Sequence, residues 1–253
     1  MDIDAISFDL DDTLWPFASA QARAEAALHA WLLARVPSTA ALLTDAGALA
    51  RYRQMAAAAH PGWSTRADLV RRESIRVILD AAGGDPLLAG AGYEVFWAAR
   101  QCVELYEDVL PSLRCLSSYY PLYAVTNGNS DLAATGVGEF FRGAVSAYCI
   151  GAAKPEARIF HAAAEALGVA PHRMLHVGDD FRLDVIGAKA AGLQAAWLVR
   201  TAGPTAAPQA SAGVQPDLVV RRLHELCARL NLPHRGANHI PHEYVPAAGI
   251  RPH

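Results

Sequence analysis

Phe8-Asp9-Leu10-Asp11-Asp12-Thr13-Leu14 closes an apolar run that opens at Ala5, and the same kind of junction recurs far downstream. Residues 5–10 read as a short buried strand bounded by acidic residues. Val125-Thr126-Asn127 ends a second strand pattern at 122–125. Val177-Gly178-Asp179-Asp180 ends a third at 174–177, and Asp184 follows shortly after. Lys154-Pro155 lies between these two and opens a helical stretch. In an open parallel α/β sheet the strand C-termini converge on one crevice, where ligands bind. This spacing therefore predicts a carboxylate cluster, a hydroxyl and a lysine meeting at one sheet edge.

Between the first junction and the others the texture changes. From Trp15 to about Leu105 the chain is alanine-rich, with helix-like periodicity and little β-branching. Helices are expected at 18–35, 39–59, 65–82 and 86–105, broken by Pro37, by His60-Pro61-Gly62 and by Gly83-Gly84. Thr65-Arg66-Ala67-Asp68 reads as a capping box for the third. Its face would be Val70, Ser74, Val77, Ile78 and Ala81, with Arg72 and Arg76 off it. After Pro111 the α/β alternation resumes. A strand is expected at 145–150, a helix at 155–167, a helix at 183–191, a strand at 195–199, and a short strand and helix within 214–230. Gly168 and Gly192 stand where left-handed helix caps are expected. The Ala/Pro/Ser/Gly-rich stretch 201–213 reads as a loop, and 231–253 as a tail without periodicity. The plan is an α/β core of residues 1–15 and 109–230, a helical insertion of 16–108 expected to lie over the crevice as a lid, and a C-terminal tail.

Composition narrows the classes. The chain has 253 residues, 53% of them apolar and 19% charged, which is enough for a sizeable core. A net charge of -3 without a basic block argues against a nucleic-acid surface. No apolar run is long enough to span a bilayer, and the N-terminus lacks a signal-peptide pattern. Cys102, Cys115, Cys149 and Cys227 form no CxxC pair and read as reduced thiols. The expectation is a cytoplasmic protein with a small-molecule partner, no nucleic acid and no membrane. The oligomeric state is left open. His234, His239, His242 and His253 read as solvated tail residues, and Trp15, Trp31, Trp63 and Trp97 as core or interface residues. Trp63 and Trp97 are also placed to face a planar substrate.

Each motif has an ordinary reading beside a chemical one. Asp9 and Asp11 alternate, so on an extended segment both would point the same way. Paired carboxylates repel, and hard oxygen ligands of this kind suit Mg²⁺; alone, such a pair is as readily a turn. Thr126 with the backbone amides at Asn127 can hold phosphate oxygens, although Asn127-Gly128 is also a turn dipeptide. Lys154 can offset the carboxylates and a phosphoryl charge, although Pro155 is also an ordinary helix start. Asp180 is explained by a helix N-terminus; Asp179, abutting the strand end, is explained less well. The joint order of the four signals favours phosphoryl transfer.

Together these residues resemble the haloacid dehalogenase superfamily of phosphotransferases, whose D-x-D-x-T, strand-end Ser/Thr, Lys and G-D-x-x-x-x-D motifs match Asp9/Asp11/Thr13, Thr126, Lys154 and Gly178-Asp179…Asp184. The resemblance implies a Rossmann-like parallel-sheet core with an inserted α-helical cap. It implies Asp9 as the nucleophile that becomes an aspartyl phosphate, and Asp11 as the acid and then base. It implies Mg²⁺ held by Asp9, the Asp11 carbonyl and Asp179, with Asp184 in support. Thr126, Asn127 and Lys154 would bind the phosphoryl group. Dehalogenases of the superfamily lack an acid at the Asp11 position, so its presence implies phosphate-ester hydrolysis. The segments 125–129 and 175–180 are similar to bacterial phosphatases acting on flavin mononucleotide and on a phosphorylated ribityl-aminouracil. Arg72, Arg76, Trp97 and Arg100, cationic or aromatic residues expected off the apolar helix faces, are the cap candidates for reading the substrate. A sugar-phosphate mutase would share the core but need a cap that binds both ends of a bisphosphate. A non-enzymatic phospho-receiver would lack the insertion and the late acidic motif.

Overall fold

The computed structural model describes residues 1–200 and 213–232. Chain order is β1 (Ala5–Phe8), α1 (Phe17–Arg35), α2 (Ala48–Ala59), α3 (Ala67–Ala81), α4 (Ala89–Gln101), α5 (Val109–Ser117), β2 (Leu122–Thr126), β3 (Phe141–Ser146), α6 (Ala147–Ile150), α7 (Ala157–Leu167), β4 (Met174–Gly178), α8 (Gly187–Ala190), β5 (Gln194–Leu198), β6 (Leu218–Val220) and α9 (Leu223–Arg229). The sequence expectations at 201–212 and 233–253 lie outside the described residues. The described residues divide into two compact units, Met1–Pro16 with those from Leu105 onward, and Phe17–Glu104.

The first unit is built on a parallel sheet in the order β3-β2-β1-β4-β5-β6. Burial of every residue of β1 and β4 fits strands covered on both faces by helices. Chain progression reverses about β1: β2 and β3 lie to one side of it and β4, β5 and β6 to the other. That reversal puts a crevice at the C-terminal ends of β1, β2 and β4. The core beside it includes Val125, Ile159, Phe160, Val185 and Trp197.

The strand expected at 145–150 is corrected: β3 occupies Phe141–Ser146, and the chain then turns into α6. Ser146 ends the strand, its Oγ accepting the Cys149 N–H at 3.3 Å. Gly143 disguised this strand. Its lack of a side chain is a packing requirement, because a Cβ there would stand 2.9 Å from the Tyr123 ring. The helix expected at 183–191 begins earlier, as a π-helical turn over Phe181–Ile186 that runs into α8. Gly168 and Gly192 do take positive φ, 67° and 82°.

The second unit packs Leu28 and Leu32 of α1, Ile75, Ile78 and Leu79 of α3, and Tyr93 and Phe96 of α4 around one core. Its boundaries differ from the periodicity reading. The stretch 39–59 is not one helix: a 3₁₀ turn covers Pro37–Ala41 and α2 starts at Ala48. Between them Asp45 Oδ1 accepts the Gly47 N–H at 2.8 Å, a local turn bond that competes with helix. No capping box opens α3. Arg66 holds Asp68 with two 3.0 Å bonds, and no side chain caps the first turn. The buried face of α3 is Asp68, Arg71, Ser74, Ile75, Ile78 and Leu79, about one position round from the expected one. The fourth helix is shorter than 86–105: a 3₁₀ turn at Pro86–Leu88 precedes α4.

Candidate active site

Asp9 follows β1 directly and is 8% exposed. Its Oδ1 receives Lys154 Nζ at 2.5 Å, and the same ammonium reaches Asp184 Oδ1 at 2.7 Å. Lys154 is positioned through its main chain. Its N–H donates to Asn127 Oδ1 at 2.7 Å, and its carbonyl accepts Asn127 Nδ2 at 3.1 Å. The Asn127 side chain is thus a clamp on the lysine loop, a role the sequence reading did not assign, which leaves the main chain as Asn127's means of reaching a phosphate.

Asp184 is delivered by the π-helical turn. Its Oδ2 accepts the Asp180 N–H at 2.9 Å, and it comes so near Gly178 that a Cβ there would lie 2.2 Å from Asp184 Cγ. Only glycine fits at that position. Asp180 itself caps this turn, accepting the Arg182 and Leu183 N–H groups at 2.8 Å each.

The opposite wall is the loop after β1. Thr13 Oγ1 donates to Asp179 Oδ1 at 3.0 Å and lies 3.4 Å from Asp9 Oδ2. Asp11 Oδ1 accepts Trp15 Nε1 at 2.8 Å. Asp11 Oδ2 stands 3.2 Å, and Thr126 Oγ1 3.3 Å, from where a Gly128 Cβ would be, so carboxylate and hydroxyl share that small clearing. The Thr126 hydroxyl also accepts the Gly128 N–H at 2.9 Å. Trp197 Nε1 donates to the Asp179 carbonyl at 2.8 Å and fixes the end of β4.

Asp9, Asp179 and Asp184 bring carboxylate oxygens within 4.8 Å of one another. One lysine cannot balance three such charges. Burial pushes Asp9 well above its ordinary range, and Asp184 and Asp179 add to this against the pull of Lys154. Burial and the Asp184 charge push Asp179 up to about 7. Burial also opposes ionisation of Asp184, but Lys154 and His176 outweigh it and hold its carboxyl low. Burial would likewise lower Lys154, yet Asp184 and Asp9 keep it charged. Hard oxygen donors carrying excess negative charge fit a divalent cation such as Mg²⁺. The Asp11 carboxylate is not among these oxygens.

His176 went unassigned in the sequence. It is 1% exposed, contacts Ser7 Oγ at 2.9 Å and Asp184 Oδ1 at 3.2 Å, and braces the carboxylate from behind. Burial holds its pKa down, only partly offset by Asp184, so the ring is neutral at physiological pH. A signal existed: Ser7 and His176 are polar residues inside apolar strands, and they are direct partners in the β1–β4 register.

The helical-unit candidates are engaged within their own unit. Arg76 pairs with Glu73 at 2.7 Å. Arg72 pairs with Glu94 at 2.9 Å and lies 4.1 Å over the Tyr93 ring. Arg100 is not off the apolar face: it is 4% exposed and sits 5.2 Å over the Phe17 ring. Trp97 is half-buried against the helical core. Trp63 stacks on His60 at 3.8 Å.

The chain is similar to known proteins. A family model described as a haloacid dehalogenase-like hydrolase matches residues 3–192. The 5-amino-6-(5-phospho-D-ribitylamino)uracil phosphatase YigB of Escherichia coli (strain K12) is 32% identical over 200 residues, covering 78% of this chain and 83% of that protein. The phosphoserine phosphatase of Thermus thermophilus is 33% identical over 183 residues, 70% of each chain. A crystal structure described as a 2-haloacid dehalogenase from Pseudomonas syringae pv. Tomato DC3000 superposes with a TM-score of 0.81 at 31% identity, covering 90% of this chain and 98% of that one. Among the described residues no helix is long and apolar enough to cross a membrane.

Proposed function

The chain belongs to the haloacid dehalogenase-like hydrolases, and we propose that it hydrolyses a small primary phosphate monoester, with a phosphate carried on a ribityl chain as the leading substrate class. One observation carries this reading: a buried carboxylate, Asp9, pinned by Lys154, with the Asp11 carboxylate and the Thr126 hydroxyl both bordering Gly128. Asp9 holds a position for attack on phosphorus; Asp11 supplies the proton that an alkoxide leaving group needs.

In the first step an Asp9 oxygen forms a bond to phosphorus while the ester P–O bond breaks. Asp11 gives its proton to the departing alkoxide. The Thr126 hydroxyl, the Asn127 main chain and Lys154 hold the phosphoryl oxygens. In the second step the Asp11 carboxylate takes a proton from water, the water oxygen bonds to phosphorus, and the Asp9 acyl-phosphate bond breaks. Asp9, Asp179, the Asp11 carbonyl and, in support, Asp184 would hold Mg²⁺, which supplies positive charge against the phosphoryl oxygens. Reading of the leaving part falls to the helical unit, with Arg72, Arg76, Trp97 and Arg100 as its candidates.

The ribityl reading is supported by the likeness to YigB, and phosphoserine, the compound in the name of the T. thermophilus relative, likewise carries its phosphate on a primary carbon. The P. syringae likeness favours a second reading, hydrolysis of a carbon–halogen bond. Against it stands Asp11, since a departing halide needs no proton. The test is a panel of ribityl, sugar and amino-acid phosphates together with 2-haloacids, run with Mg²⁺ and with excess chelator. Magnesium-dependent phosphate release, fastest on a ribityl ester, is expected. Halide release without phosphate release would reverse the assignment, and undiminished turnover in chelator would remove the metal.

A thermal measurement probes the metal cluster without turnover. Asp179 is raised from 3.8 to about 7 in the folded protein. Its contribution to stability is therefore whole below the unfolded value and is lost as pH rises through about 7. The Tm gain on adding Mg²⁺ is expected to be larger near pH 8 than near pH 5.5. Asp179→Asn should raise the metal-free Tm near pH 8 and remove most of that gain. An equal gain in wild type and variant would exclude Asp179 from the metal site.

A further inference from the structure

We propose that Arg200 is a positioning residue for the nucleophile-bearing loop, acting through the Thr13 carbonyl with Asp108 as its anchor. Arg200 lies just beyond β5. Its Nε and Nη2 both donate to the Thr13 carbonyl, at 3.0 and 2.7 Å. Its Nη1 pairs with Asp108 Oδ1 at 2.6 Å, and the guanidinium lies 4.2 Å over the Tyr106 ring. Asp108 Oδ2 accepts the Leu223 N–H at 2.6 Å, which ties the anchor to the first turn of α9. The side chains of Arg200 and Asp108 are only 11% and 7% exposed.

Thr13 joins this clamp to the chemistry. The residue that takes Arg200 on its carbonyl presents its hydroxyl to Asp179 and, more distantly, to Asp9. The loop needs such support. Asp12 carries a positive φ of 58°, a conformation that costs a non-glycine residue and persists only where surrounding structure enforces it. Within the loop the restraints include two backbone bonds of 2.7 Å, Asp12 N–H to the Trp15 carbonyl and Leu14 N–H to the Leu10 carbonyl, and the 2.8 Å bond from Trp15 Nε1 to Asp11 Oδ1. The planar guanidinium adds two donors converging on one carbonyl and so fixes the loop's direction as well as its distance, which an ammonium cannot do. Arg200 thus sets where Asp11 and the Thr13 hydroxyl stand relative to Asp9 without touching the reacting atoms.

The inference concerns the same site as the phosphatase reading and rests on it only for the kinetic arm of the test. Full-length wild type, Arg200→Ala and Arg200→Lys would be compared by amide hydrogen exchange and by hydrolysis of p-nitrophenyl phosphate. In Arg200→Ala, exchange should quicken across the amides of residues 10–15 while β2 and β4 keep wild-type protection. kcat should fall roughly 10- to 100-fold, as expected of a misplacement of about 1 Å, with KM within about twofold. Arg200→Lys should recover part of both effects. If Arg200→Ala does not fold, the lysine variant carries the same comparison. Unchanged exchange across 10–15, exchange rising evenly over the core, or a kcat equal to wild type would each overturn the proposal. If wild type releases no phosphate at all, the phosphatase reading falls, and the exchange comparison alone decides the role of Arg200.

Discussion

Asp9→Asn is expected to abolish phosphate release, by roughly 10,000-fold or more, while leaving the protein folded. The amide cannot displace an alkoxide from phosphorus, and Asp184, the other carboxylate that Lys154 holds, follows β4 and not β1. The fold should survive because the substitution removes one charge from a site that already holds too many. Lys154 keeps its 2.7 Å partner Asp184, so no buried cation is stranded. The Tm should match or exceed that of wild type in chelator. Acid quench during turnover should capture a hydroxylamine-labile phosphate on wild type and none on the variant. Substantial activity in verified pure Asp9→Asn would falsify the covalent route.

Asp11→Asn should separate the two halves of the reaction. General acid–base groups typically contribute roughly 100- to 10,000-fold, and that loss is expected in full on an alkyl phosphate, whose leaving oxygen must be protonated. An aryl or acyl phosphate leaves without a proton, so its first step should survive. The variant should then accumulate phosphoenzyme, because the attacking water has lost its base. Asparagine can still accept Trp15 Nε1 through its amide oxygen, which keeps the loop in place. The reading fails if alkyl and aryl phosphates are slowed equally with no phosphoenzyme build-up. Equal slowing would mean that Asp11 orders the loop and moves no proton.

Three of the four motif segments were legible because each follows a mainly apolar strand, β1, β2 or β4, whereas Lys154 follows α6. Once the strands are parallel, Asp9, Thr126 and Asp179 are forced to one edge by topology alone. The helical unit was legible in kind and less so in detail. Periodicity located α1 and α3, but the α2 start and the α3 face were settled by Asp45–Gly47 and Arg66–Asp68, short-range polar bonds that hydropathy does not register. Arg100 was read as a surface cation because charge implies exposure, whereas in the structure an aromatic ring lies beneath it.

What the sequence determined by itself is the list of candidate site groups and the sheet edge that gathers them, since both follow from local pattern and strand order. What only the tertiary structure decided is how those groups are held. The Asn127 clamp on Lys154, the His176 brace on Asp184, and the Arg200 hold on Thr13 join residues 27, 8 and 187 positions apart, and Arg200 and its anchor Asp108 are 92 apart. No periodicity or spacing encodes such pairs. Their geometry exists only after packing has excluded water, and burial then makes each remaining hydrogen bond and charge count for more than it would on a solvated chain.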